Sequence, residues 1–224
     1  MTVAAHASTL KVGGTSTAFT NEATTKVTAN TVYQITDATK RIVNPSVSVT
    51  VEVDADGGGG GGYVAADSST YTFDYLFGKV TFLSDQGADA LVRVSGSYLP
   101  TLAVAEVREW SLQASRNLPD ATTLDSGGVR TRVATLKDLS GSFTILKTLF
   151  YDLDTGGGTQ QFSGLFDAGT AFLLEIRPDP SGQIFRAWVI LENAEFSGSL
   201  DDLVNTSVAY QGTAVNNVSY AWGN

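Results

Sequence analysis

TAFLLEIRPDPSGQIFRAWVILEN, residues 170–193, holds two apolar runs separated by Arg177-Pro-Asp-Pro-Ser-Gly-Gln183. The two prolines fix φ and Gly182 is permissive, so the segment reads as a β-hairpin joining two strands rather than as one helix. Outward from it the same rhythm recurs. In VSVTVEVD, Val47, Val49, Val51 and Val53 alternate with Ser48, Thr50, Glu52 and Asp54, and in TYTFDYLFGKVTFL, Tyr71, Phe73, Tyr75 and Phe77 alternate with polar residues. Period two is the signature of strands with one wet face. Further strands are expected at 90–99, 105–116, 129–150 in at least two pieces, and 204–215, with Trp110, Phe143, Phe172, Leu174, Phe185, Trp188 and Tyr210 as core candidates, because aromatic and branched side chains bury the most apolar area.

One segment breaks the rhythm. In GGGTQQFSGLFDAGT (156–170), Thr159 can cap a helix, Phe162, Leu165 and Phe166 share one face, and Gly169 stands where a helix ends. A single short amphipathic helix is expected there. Residues 1–30, rich in Thr, Ala and Gly, read as an N-terminal arm that needs a partner for order. Residues 31–100 form a β-rich part, separate or continuous with a core at 101–224.

With 224 residues the chain is long enough to bury a real core. It has no cysteine, which excludes disulfides and Cys-based zinc sites, and no apolar run approaches the roughly 18 residues of a membrane span. A soluble protein made in the cytoplasm is expected. The formal charge is −9, and its distribution is uneven: Glu52, Asp54, Asp56, Asp67 and Asp74 fall between Arg41 and Lys79 with no base among them, and Glu192, Glu195, Asp201 and Asp202 follow Arg186, again with no base. Such surfaces repel phosphate backbones and disfavour specific nucleic-acid binding.

No chemical motif stands out. The glycines at 57–62 satisfy a dinucleotide fingerprint trivially, but no helix pattern follows them, so they read as a hairpin loop between strands. His6, the only histidine, lies in the unpatterned arm and is too poorly placed for a triad. Asp54 and Asp56 lack the remaining ligands of a calcium loop. Glu109, Glu175, Glu192 and Glu195 could in principle form a glycosidase pair, but their strand positions read as the wet face. Trp110 and Trp188 could stack a sugar, though core packing is the simpler reading. Neither an enzyme nor a cofactor or metal site is expected.

The order of several features resembles a known family. The Trp strand at 105–116, the D-x-T element in the loop at 117–130, the LKDLSGSF strand, the hairpin ending in FRAW and the closing DDLVNTSVAYQG passage look like the major tail tube protein of long-tailed, siphovirus-like bacteriophages. Segments 22–53, 71–82 and 92–100 are similar to the N-terminal half of some members. The resemblance implies a mainly β fold of two packed antiparallel sheets, a sandwich or barrel, with one short helix and long loops. It also implies hexameric rings of this chain stacked into a hollow tail tube, with tape-measure, tail-terminator and distal-tail proteins as partners. DNA would pass through without specific binding, and no membrane would be involved; the chain would be made in the host cytoplasm and end in the virion tail. Asp120, Thr122, Asp125, Gly127, Gly128, Arg130 and Arg132 are candidates for ring-to-ring contact, on the length and glycine hinge of their loop. The readings from other classes are a carbohydrate-binding or adhesin-like sandwich and another virion component, such as a decoration or baseplate protein.

Overall fold

The computed structural model describes residues 8–58, 62–104, 107–122, 129–130, 132–134, 137–146, 162–197 and 205–223. The strands are β1 (Thr9–Gly13), β2 (Thr17–Thr28), β3 (Val32–Ile35), β4 (Thr50–Asp54), β5 (Val64–Ala65), β6 (Tyr71–Asp74), β7 (Lys79–Phe82), β8 (Leu91–Tyr98), β9 (Thr101–Ala103), β10 (Glu109–Arg116), β11 (Lys137–Leu146), β12 (Phe172–Arg177), β13 (Ile184–Ser197), β14 (Asn205–Gly212) and β15 (Tyr220–Gly223), with helix α1 (Phe162–Ala168) before β12. The chain is mainly β, in two antiparallel sheets with a single short α-helix among the described residues, as the sequence led us to expect. One sheet runs β10-β11-β14-β13-β12-β1-β9, with β15 also paired to β13; the other runs β5-β4-β8-β2-β3-β7-β6.

The hairpin of residues 170–193 is the centre of the first sheet. Phe172 pairs with Val189 and Ile176 with Phe185. In the connecting turn, Asp179 Oδ1 accepts from the Ser181 amide at 3.0 Å and the Asp179 carbonyl accepts from the Gly182 amide at 2.9 Å. Each sheet has its own apolar cluster. Leu174, Ile176, Phe185, Val189, Phe143 and Tyr210 lie in the first, and Tyr33, Ile35, Val51, Val80, Val92 and Val94 in the second. A third cluster joins the halves, packing Ile42, Leu76, Phe77 and Leu99 against Leu173, Ile184 and Trp188.

Three expectations are corrected. Residues 9–28 are not an arm: β1 pairs with β12 and β9 in one sheet, and β2 pairs with β8 and β3 in the other. The partner that orders them is the chain itself. Their signal was weak because only Leu10 and Val12 of β1 and Phe19 of β2 are buried apolar residues. The alternation over 71–82 is not one strand but a hairpin, with Tyr71 opposite Phe82 and Asp74 opposite Lys79. The Asp74 carboxylate reverses the chain by accepting from the amides of Leu76 and Phe77 at 3.0 and 3.2 Å. Finally, β4 begins at Thr50, because the Asn44 side chain and carbonyl hold Ser46 and Val47 in a turn.

Helix α1 ends as its sequence suggested. Gly169 takes φ +57°, its amide donates to the Phe166 carbonyl at 3.1 Å, and Thr170 donates to Leu165 at 3.3 Å, which is the paired closure of a glycine-terminated helix. Leu165 packs on the first cluster while Phe166 stays exposed; Thr159 lies outside the described residues.

Gly141 shows how tightly the first sheet is specified. It stands between Leu112 of β10 and Tyr210 of β14. The Tyr210 phenol crosses β11 through the space a side chain would fill and donates to the Ser111 carbonyl at 2.8 Å. A Cβ at Gly141 would overlap both the phenol oxygen and that carbonyl. Gly141→Ala is therefore expected to destabilise the fold by about 1–3 kcal/mol through overpacking, which calorimetry should register as a fall in Tm; an unchanged Tm would show that the three strands can spread at no cost.

Candidate functional site

The carboxylates weighed for catalysis do not converge. Glu175 is not on a wet face: it is 3% exposed and held by Arg186 Nε at 2.8 Å and Lys11 Nζ at 3.3 Å. Alternation misplaced it because β12 is buried on both faces, with every residue from Phe172 to Ile176 out of solvent. Glu192 of β13 is exposed and accepts from the Gln211 side chain at 2.8 Å, and Glu195 on the same strand and Glu109 on β10 are also exposed. Among the described residues no group of three acidic or imidazole side chains could hold a metal ion. His6 lies outside the described residues.

The flanks of the glycine run form a hairpin, with Glu52 opposite Ala65 and Val53 opposite Val64. Among the described residues no α-helix opens after the run, and a phosphate cradle needs a helix N-terminus as well as glycines. Asp54 is buried and its carboxyl is pushed above the ordinary 3.8, first by sharing a hydrogen bond with Asp56 and then by burial. Of the tryptophans weighed for stacking, Trp188 is 7% exposed in the seam between the halves and Trp110 is half-buried against the first cluster. Trp222, which sequence reading passed over, is 48% exposed and lies 4.9 Å from the Phe185 ring, centroid to centroid.

What remains open is a sheet edge. Among the described residues, strand β10 pairs with β11 on one side only, over all eight of its residues from Glu109–Thr144 to Arg116–Lys137. Trp110 and Leu112 turn inward, whereas Glu109, Ser111 and Gln113 to Arg116 are exposed. The pairing continues past the strand ends, with Val133 donating to the Pro119 carbonyl at 3.2 Å and a bridge between Asp120 and Arg132. The β10–β11 ribbon thus projects into the loop picked out from sequence. Leu118, Val129 and Val133 are 46%, 69% and 51% exposed, so this ribbon and loop carry apolar surface outward.

Of the candidate interface residues, Asp120, Thr122, Arg130 and Arg132 lie on this projection and are exposed; Asp125, Gly127 and Gly128 fall outside the described residues. Asp120 folds the loop onto itself, accepting from the Thr122 hydroxyl and from the Thr122 amide at 2.9 Å. These two bonds, the hydroxyl first, hold its carboxyl below the ordinary 3.8.

No family model matches the sequence, and no curated protein is significantly similar to it. Among solved structures, the chain is similar to one in the tail of an empty gene transfer agent particle refined with C6 helical symmetry, with 13% identity, 56% of this chain and 87% of that one covered, and a TM-score of 0.44. It is also similar to a chain in the virion of a native gene transfer agent particle, with 16% identity, coverage of 55% and 89%, and a TM-score of 0.45.

Two outcomes follow from these contacts. A depressed acid stabilises its turn above the unfolded value near 3.8 and loses that effect as pH falls through the folded value. Thr122→Val should move the Asp120 carboxyl titration, followed by NMR, back toward 3.8; an unmoved midpoint would dismiss the hydroxyl as its cause. In the interior, Arg186→Met should cost about 3–5 kcal/mol in urea unfolding because it removes the closest partner of the buried Glu175 side chain. Glu175→Leu with Arg186→Met should cost less than the single change.

Proposed function

We propose that this chain is a structural, non-enzymatic protein of a phage-type virion tail, assembling with copies of itself into hexameric rings that stack as a hollow tube around the path of the genome. The observation that carries the reading is the unpaired β10 edge running into a loop with exposed Leu118, Val129 and Val133. An eight-residue free edge is a template for another strand, and a fold that exposes one either blunts it or uses it. Pairing β10 with a neighbour hides the edge and extends the sheet around a ring. The loop of residues 117–136 then reaches the next ring, giving the heterologous, open-ended contact that a filament requires.

The sequence resemblance supports the same reading, and so does the charge. A surplus of acids with long base-free stretches lets a polyanion slide past without being held. Tape-measure, terminator and distal-tail proteins are the partners the reading entails, the virion tail its location and the host cytoplasm its place of assembly. The absence of a convergent nucleophile and base among the described residues fits a passive role. Trp222 gives the carbohydrate reading an exposed tryptophan, and quenching of tryptophan fluorescence by sugars would favour that reading.

The test is negative-stain electron microscopy of purified protein at rising concentration. Wild-type protein should give rings or tubes. Gln113→Lys with Ser115→Lys places two exposed charges along the edge and should stay folded within about 0.5 kcal/mol of wild type yet remain monomeric. Deleting residues 120–128 should likewise leave a folded monomer or single rings. Normal tubes from either variant would remove β10 or its loop from the assembly surface.

A further inference from the structure

In a chain with nine more acids than bases, four bases converge on one cleft. It has a volume of about 560 Å³ and is lined by Lys11, Arg41, Arg177 and Arg186, with Glu175 as its acid and the hydroxyls of Thr39 and Ser181 at its mouth. Chain distance hides this cluster from sequence reading, since the four cations come from β1, the turn after residues 38–40, the end of β12 and β13. Glu175 engages two of them, Arg186 and Lys11. Arg41 bonds only to backbone carbonyls, those of Ile35 at 2.9 Å and Thr36 at 3.5 Å, and Arg177 reaches the Pro180 carbonyl at 3.4 Å. Neither has a carboxylate ion-pair partner among the described residues.

We infer that this cleft is a receptor for carboxylates, and that its occupant is an acidic segment of a second copy of this chain. A recess of this size admits side chains and a short peptide but not a nucleic-acid duplex, and the acidity of the remaining surface repels one. Outside the cleft the chain is more acidic still, so a second copy is the complementary partner for it. The cleft is also placed for such a contact. It adjoins β1 and β9, at the opposite end of the first sheet from the free β10 edge, and a head-to-tail assembly needs two different surfaces on one molecule. The identity of the occupant rests on the assembly reading; the chemistry of the cleft does not.

The experiment separates the two. Hexaglutamate peptide is titrated into isotopically labelled protein at low salt, with inorganic phosphate and a short DNA duplex as parallel probes. Amide shifts at Thr39, Thr101, Ser181 and Gly182 are expected with the peptide, weakening as salt is added, and Arg177→Glu should reduce its affinity about tenfold or more. No shifts at these amides, equal affinity in Arg177→Glu, or a stronger response to phosphate or DNA would overturn the carboxylate receptor. In the assembly arm, Arg177→Glu should sediment as smaller species than wild type at equal concentration. Wild-type-sized assemblies from that variant would overturn the second copy as occupant. A wild-type chain that stays monomeric overturns the assembly reading and the occupant with it, while the peptide titration still decides the cleft.

Discussion

The two halves of this protein are held in register by one buried guanidinium. Arg186 of β13 ion-pairs with Glu175 on the neighbouring strand, donates through its Nη1 to the Leu76 carbonyl at 2.6 Å, and lies 4.7 Å from the centre of the Phe77 ring. Leu76 and Phe77 belong to the turn between β6 and β7, so a side chain of one sheet closes on the backbone and an aromatic face of the other. Burial pushes the guanidinium pKa down, and the Glu175 carboxylate opposes that. A charge placed so deep tolerates few alternative arrangements, because any shift of the second half would strip it of a partner. The apolar seam of Ile42, Leu99, Leu173, Ile184 and Trp188 forms around this contact.

With the interior so fixed, the sheet ends decide what the molecule presents. β5 has two residues, β9 three and β6 four, short enough that none offers a long template. β10 has eight, and none of the described strands covers its outer side. Its inner side is anchored by Trp110 and Leu112 and by the Tyr210 phenol on the Ser111 carbonyl. Edge and anchor together are the physical basis of the assembly proposed for this chain. The cationic cleft lies toward the opposite end of the same sheet and is, in that proposal, the different second surface of an open-ended assembly.

Much of this was legible in the chain, for identifiable reasons. The 170–193 hairpin declared itself because both strands are buried on both faces and the turn between them is written in Pro, Asp and Gly. The helix end was visible because Gly169 takes a backbone conformation that favours glycine. The loop at 117–130 stood out through its length and its Gly127-Gly128 hinge, whereas the exposure of Leu118, Val129 and Val133 depends on the fold. In contrast, β1 and β2 were hidden, because a strand that is mostly exposed and rich in Thr carries no apolar alternation, and β9 and β15 are too short to show a period.

By itself, then, the sequence determined the class of the fold, the position of most strands, the single helix and the absence of a motif for catalysis, since these follow from local periodicity, turn chemistry and residue inventory. Only the tertiary structure decided that residues 9–28 tie both sheets together, that Glu175 is an interior ion rather than a wet-face acid, that β10 is a long strand whose outer side is unpaired among the described residues, and that four cations gather in one cleft. Each of these depends on contacts between residues tens to more than a hundred positions apart. Strand order and the company of a buried charge are set by which distant surfaces fit together, and no local pattern encodes that.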